Sequence, residues 1–207
     1  MILYGGFGSP FTRRVGTTLR LYGLDHEHVA LRVGIPEQLE RLKKLNPLGR
    51  VPALETEDGR VLIDSTTILD YLDRLVGPQK SLVPLEGDER TNVLNIIGVA
   101  TGAVEKSVAS YYEAGPNAKR PADKVHKPWL DNMYQQTKDG IEAIDRLAKE
   151  PWLTGEKITQ ADVSVVVFWD FIVKNRPVDA PPLNCPQLKK LSNRANSMSE
   201  FSVTIPQ

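Results

Sequence analysis

Strand signals end at Gly77-Pro78 in this chain, and only helix signals follow. Upstream of that point the residues read β-α-β-α-β-β-α in under eighty positions. Met1 to Tyr4 is a short apolar run suited to a buried first strand. Pro10 to Gly23 is a helix with both ends marked: Ser9 suits the N-cap, Pro10 the first helical position and Gly23 the stop. Phe11, Val15, Leu19 and Tyr22 share one face of it. His26 to Leu31 suits a second strand and Pro36 to Leu45 a second helix, broken by Asn46-Pro47-Leu48-Gly49-Arg50. Val51 to Glu55 and Arg60 to Ile63 read as a pair of strands around an Asp58-Gly59 turn. Ser65 suits the N-cap of a third helix, running through Leu75 and stopping at Gly77-Pro78. One crossover followed by a hairpin predicts a mixed four-stranded sheet with helices on its faces.

Gly77 to Gly87 holds two prolines and two glycines, a linker composition. Beyond it, Asp88 to Tyr112 carries a stripe at Ile97, Ala100, Val104, Val108 and Tyr111. A second stripe runs through Leu130, Met133, Thr137, Ile141, Ile144 and Ala148, with Pro128 predicting either a kink or a late start. Ala161 to Lys174 is apolar almost all round, as a buried central helix must be. A last helix is expected from about Pro186 to Ser197. The predicted organisation is an α/β domain over residues 1–78, a linker over 79–87 and an all-α domain over 88–207. With 26 basic and 26 acidic residues, no global field recruits nucleic acid or membrane. The longest apolar run, Val163 to Val173, is interrupted and too short to span a bilayer. The N-terminus lacks a signal-peptide pattern. One cysteine, Cys185, excludes an intramolecular disulfide and a multi-cysteine metal site; this fits a reducing compartment.

Four short motifs stand out, three of which can carry chemistry. Ser9-Pro10-Phe11-Thr12 stands where thioredoxin-like proteins have Cys-Pro-Phe/Tyr-Cys. Two hydroxyls exclude dithiol exchange but can donate a hydrogen bond to a thiolate; as a bare serine at a helix start, Ser9 also reads as a plain cap. Pro52 cannot donate to a strand ladder. A cis Val51-Pro52 bond would turn the Val51 amide and carbonyl toward an extended ligand, and a trans proline on an edge strand is the alternative. Asp64-Ser65 at a helix start could hold an ammonium and a carboxylate, or simply cap. Thr159 and Asp162 form a capping box with an Ile158/Val163 staple, a folding device. His26 and His28 lie two apart on the second strand, a spacing that suits a solvent-facing or structural role better than a metal pair.

In joint order and spacing these motifs resemble the cytosolic glutathione transferase family over nearly the whole chain, from Ile2-Leu3-Tyr4 to Ser202-Val203-Thr204-Ile205-Pro206. Ser9 to Val15 is similar to the signature of the serine-type classes, tau and related bacterial members. Asn46 to Pro52 resembles the family's cis-proline loop, and Asp64-Ser65-Thr66-Thr67-Ile68 its γ-glutamyl motif, with Asp in place of Glu or Gln. The resemblance implies a thioredoxin-like N-terminal domain followed by an all-α domain, the glutathione transferase fold. It implies glutathione as co-substrate, with Ser9 stabilising its thiolate for attack on a small electrophile. Val51, at the loop closed by Pro52, would pair with the cysteinyl backbone; Asp64 and Ser65 would hold the γ-glutamyl head; Gln38 and Arg50 would meet the glycine carboxylate. The family's electrophile pocket lies between the domains, where Tyr111 and Tyr112 could line it, although plain packing is the simpler account of both. No metal is implied. Family precedent adds a cytoplasmic homodimer serving detoxification. Two rival functions stay open: a glutathione-dependent isomerase, dehalogenase or peroxidase on the same site, and a non-catalytic transferase-like interaction protein.

Overall fold

A computed structural model describes residues 1–116 and 118–206. The chain divides into two compact units. The first runs from Met1 to Leu85 and takes back the residues from Asn196 on; the second is Glu86–Ala195.

In the first unit, β1 (Ile2–Tyr4), α1 (Pro10–Leu21), β2 (Glu27–Val29), α2 (Pro36–Lys43), β3 (Ala53–Glu55), β4 (Val61–Ile63) and α3 (Ser65–Val76) follow in the expected order. The sheet order is β2-β1-β3-β4. β1 and β2 are parallel, and the β1/β3 and β3/β4 pairs are antiparallel. Side chains alternate across the sheet. Leu3 and Leu54 face the α1/α3 layer, packed with Val15, Leu19, Ile68 and Leu72. Tyr4 and Ala53 face the other way, onto Leu42 of α2. The second strand is shorter than its sequence suggests, and His26 lies outside it. Its partner β1 ends at Tyr4, and Gly5 follows with φ +130.

Two further hydrogen-bond sets complete this unit. The Tyr22 hydroxyl donates to Asp73 and accepts from the Leu82 amide at 2.8 Å, fastening the segment after α3 to the end of α1. Burial pushes both the Tyr22 and Asp73 pKa values upward. The returning segment contains α8 (Ser199–Ser202), which the sequence reading did not contain. Arg13, 2% exposed, donates through Nη2 to Asn196 Oδ1 at 2.9 Å and through Nε to Thr204 Oγ1 at 3.4 Å. Thr17 Oγ1 lies 3.0 Å from Thr204 Oγ1.

The second unit holds α4 (Gly87–Ala114), α5 (Lys127–Leu147), α6 (Gln160–Asn175) and most of α7 (Pro186–Asn196). α4 packs on both α5 and α6. Its buried face is Val93, Ile96, Ala100, Ala103, Val104, Ser107 and Ser110, rotated from the predicted stripe. Serving two neighbours, α4 buries a broader arc, and Ile97, Val108 and Tyr111 fall at its margin. Pro128 stands in the first turn of α5, so the late start is what occurs. α6 is buried from Gln160 to Phe168, and its capping box forms. Asp162 Oδ2 accepts from Thr159 N at 2.8 Å, and its Oδ1 accepts from Leu153 N at 2.7 Å. Burial nonetheless raises the Asp162 pKa. No helix is long and apolar enough to cross a membrane among the described residues.

Candidate functional site

Ser9 opens α1 with extended backbone (φ −80, ψ 123), and Pro10 follows at the first helical position. Its Oγ accepts a long bond, 3.4 Å, from Thr12 N, while its own amide donates to Gly6 O at 3.0 Å. The hydroxyl thus caps with a lone pair and keeps its proton available to donate. Half-buried, it can reach a ligand. Thr12, the other hydroxyl of the motif, cannot: it is fully buried and its Oγ1 takes no hydrogen bond among the described residues. The two hydroxyls expected to replace a cysteine pair therefore do different jobs.

Thr12 points inward at Gly5. A Cβ at Gly5 would lie 2.6 Å from Thr12 Oγ1 and 2.8 Å from Val51 Cβ. Only glycine permits that approach, and it brings the first turn of α1 against the loop before β3. In that loop the Val51-Pro52 peptide is cis. Val51 itself stands before the ladder, which pairs from Ala53 onward. Asn46, buried at 3% exposure, shapes the loop: its Nδ2 donates to Arg50 O at 2.8 Å and its Oδ1 accepts from Leu48 N at 3.0 Å. An Asx turn after a helix end was the signal for it in the sequence.

The third part is the start of α3. Here the structure corrects the sequence reading: the N-cap is Asp64, whose Oδ1 accepts from Thr66 N at 2.7 Å, and Ser65 is the first helical residue. Asp64 is the one described non-glycine residue with positive φ, at +67 with ψ 129. Such a backbone costs of order 1–3 kcal/mol and concentrates at functional sites. It leaves the carboxylate exposed while the next residue turns inward. Ser65 is 2% exposed, and its Oγ accepts from Arg14 Nη2 at 2.6 Å; Thr66 Oγ1 accepts from the same nitrogen at 3.1 Å. Arg14, 1% exposed, lies within 5.9 Å of the Phe11 ring centroid. Sequence reasoning missed Arg14 as a site residue. A charged residue at a helix position flanked by the buried Val15 was the available sign, since long charged side chains are seldom buried without partners.

Ser9, Val51 and the Asp64-Ser65 pair, distant in sequence, are therefore tied to the first two turns of α1: Ser9 caps the helix, Val51 and Thr12 meet at Gly5, and Ser65 bonds Arg14. The first turn has no acidic residue, and two buried guanidinium groups follow it; with the helix end they favour a negatively charged ligand. Gln38 lies on α2, and Arg50 on the loop between α2 and β3. The Gln38 oxygen accepts from Arg32 N at 2.7 Å, which leaves its NH2 end as the group able to meet a carboxylate. Arg50 is exposed at the end of a loop whose Gly49 approaches Leu39 of α2. In the second unit Tyr111 packs edge-on against Tyr112 and Phe171, at 5.8 and 6.2 Å between centroids. A surface hollow of about 410 Å³ in the first unit, lined by Arg20, Asp25, His26 and Glu200 among others, sits at the opposite end of α1 and contains none of these site residues. No group of three or more His, Cys, Asp or Glu suited to a metal ion occurs among the described residues.

Residues 8–75 match the family "Glutathione S-transferase, N-terminal domain". The chain is 29% identical to glutathione S-transferase PM239X14 of Arabidopsis thaliana, across 87% of this chain and 86% of that one. It is also 29% identical to a maleylacetoacetate isomerase of Pseudomonas aeruginosa, across 80% of this chain and 78% of the other. A glutathione transferase family member from Pseudomonas fluorescens Pf-5, solved with bound glutathione, superposes with a TM-score of 0.82 at 27% identity, covering 100% of this chain and 98% of that one. The fold is that of the glutathione transferases: a thioredoxin-like domain followed by an all-helical one. The domain match over residues 8–75 and the fold of the whole chain thus point the same way, toward the glutathione transferases.

Proposed function

We propose that the chain is a serine-type glutathione transferase in which Ser9 stabilises the glutathione thiolate for attack on a small electrophile. The observation that carries this reading is that Ser9, Val51 and Asp64-Ser65 are all tied to the first two turns of α1. A tripeptide with a thiol in its middle and a γ-glutamyl head asks for those three kinds of contact. Ser9 would donate to the sulfur, since a hydrogen bond to the charged form favours ionisation. Val51, ahead of the ladder, would pair with the cysteinyl backbone in the manner of an added strand. The exposed Asp64 carboxylate would take the ammonium. Ser65, with Arg14 behind it, would orient the α-carboxylate. Gln38 and Arg50 would hold the glycine carboxylate. The thiolate, once formed, supplies the nucleophile, and holding both partners in place supplies part of the rate. Residues 1–78 would serve as the glutathione-binding domain and 79–87 as linker; of the expected 88–207, the part up to Ala195 would be the helical domain that contributes to holding the electrophile, since the residues from Asn196 on group with the first unit. The working form is a cytoplasmic homodimer.

A second reading has a specific finding behind it. A maleylacetoacetate isomerase matches at the same 29% identity as the transferase relative, over a shorter stretch, which supports a glutathione-dependent isomerisation as the second reading. Both uses need an ionised glutathione thiol; they part over whether the electrophile leaves as a conjugate.

Glutathione titration by calorimetry, with the ultraviolet thiolate difference spectrum recorded across pH, tests the shared step. Binding with a thiol pKa well below the free value of about 8.5 supports the proposal. Binding with an unshifted thiol removes thiol activation from Ser9. No binding at millimolar glutathione returns the non-catalytic interaction protein as the leading reading.

A further inference from the structure

We propose that His28 is a positioning residue that fixes the Ser9 hydroxyl through the loop between β1 and α1. The inference rests on the reading of Ser9 as the thiol-stabilising group.

The loop Gly5-Gly6-Phe7-Gly8 has three glycines in four residues, so its backbone carries little conformational restriction of its own. Yet it delivers Ser9 in one defined place, with Ser9 N closing on Gly6 O at 3.0 Å. The restraint comes from outside. Gly5 N and Gly6 N donate to Val29 O and Leu31 O, each at 3.0 Å, but these hold only amides. The Gly5 carbonyl is held by a side chain: His28 Nε2 lies 2.7 Å from it and, since a carbonyl can only accept, must carry the proton. The His28 ring also stacks on Phe7, with centroids 4.0 Å apart and planes 16° from parallel.

Phe7 in turn is pinned from the other side. Its Cε1 lies 2.6 Å from where a Cβ on Gly16 would stand, so the ring fills the notch that α1 leaves by having glycine there. His28 pairs in register with Leu3, which places its side chain on the face of the sheet that carries α1. One imidazole therefore clamps both variable points of the loop, the Gly5 carbonyl by hydrogen bond and the Phe7 ring by stacking. Gly5 is also the point of contact with Thr12 and Val51. A shift of the Gly5 peptide would move Ser9 against the loop that presents Val51. A hydroxyl misplaced by a fraction of an ångström donates poorly to a sulfur anion, because hydrogen bonds weaken steeply with distance and angle.

Three variants separate the two contacts. His28→Phe keeps a stackable ring and removes the donor, His28→Gln restores a donor without the ring, and His28→Leu removes both. Each is measured for glutathione affinity, for the pKa of the bound thiol by ultraviolet titration, and for melting temperature. We expect His28→Phe to raise the bound-thiol pKa by roughly half to one unit, a loss of about three- to tenfold in thiolate below the midpoint, with affinity changed less than about threefold. His28→Gln should recover most of that shift, and His28→Leu should exceed it. A merely structural histidine would lower the melting temperature of all three and leave the thiol pKa where it was; that outcome overturns the proposal while leaving Ser9 in its role. An unshifted thiol in the parent protein overturns both. Independently of any variant, nitrogen-15 spectra of the parent protein should show the His28 proton on Nε2, and a proton on Nδ1 alone overturns the proposal.

Discussion

Arg14 of α1 and Ser65 of α3 meet at 2.6 Å, Nη2 to Oγ, with both side chains no more than 2% exposed. The pair sets the start of one helix against the second turn of another. It turns a cation inward behind the residue proposed to hold the γ-glutamyl carboxylate. Arg14→Met keeps much of the volume and removes the donor. Losing hydrogen bonds from a charged group costs roughly 1.5–3 kcal/mol, so glutathione affinity should fall by about ten- to a hundredfold. Arg14→Lys offers a point charge in place of a planar fork and should recover only part of it. Equal affinity in all three proteins, by calorimetry, would limit Arg14 to packing.

Ser9 caps α1 with a lone pair and keeps its proton for a ligand. Ser9→Ala should therefore do two measurable things. Loss of the cap should cost about 0.5–2 kcal/mol of stability in a urea titration. Loss of the donor should raise the bound-thiol pKa by roughly one to two units, from the about 1.5–3 kcal/mol that such a bond to a charged acceptor carries. Glutathione affinity should stay within about threefold. Ser9→Thr should restore the cap and the proton together. An unchanged pH–rate profile in Ser9→Ala would reduce the residue to a cap.

Asp64 combines an exposed carboxylate with a positive φ, and two substitutions pull these apart. Asp64→Gly suits the backbone and should leave stability within about 1 kcal/mol, because relief of strain offsets the lost cap. Asp64→Ala keeps the strained backbone without the carboxylate and should be less stable than Asp64→Gly by about 1 kcal/mol. Both should bind glutathione at least about tenfold more weakly, the scale of one lost charge-assisted bond. Undiminished binding by Asp64→Gly would take the carboxylate out of the site.

Cys185 is buried, and burial, with Asp145 and Glu142 nearby, pushes its thiol up to about 12. The native protein should therefore not react with a disulfide reagent at about pH 8, near the free-thiol value, and should react fully once unfolded. Its folded pKa lies above the ordinary 9.0. The corresponding stability is present below that value and is lost as pH rises from there toward 12. Cys185→Ser should flatten the alkaline limb of the stability curve. Rapid labelling of the native protein would show that the thiol is accessible.

The order of elements was legible because punctuation and period agree. Ser9-Pro10, Asp58-Gly59 and Gly77-Pro78 bracket elements whose apolar spacing already fits. The start of α3 was misplaced by one residue, because Asp and Ser are both good caps and only the backbone tells which is used; here the left-hand turn at Asp64 decides. Arg14 and His28 were not legible as site residues. Their meaning lies in partners 51 and 23 positions away, to which no local period points. The segment after Met198 was likewise opaque: α8 has four residues, too few for a periodic signal.

The clasp of Arg13 on Thr204 spans 191 positions. A nascent chain exposes the whole four-stranded sheet long before the residues that quench the Arg13 guanidinium exist. The first unit is thus first in sequence yet last to be finished during synthesis. A fragment cut at Leu85 would carry a buried cation stripped of its Thr204 and Asn196 acceptors. For anyone excising the first unit as a portable module, the useful cut is a circular permutation that joins the segment after Ala195 to the first strand.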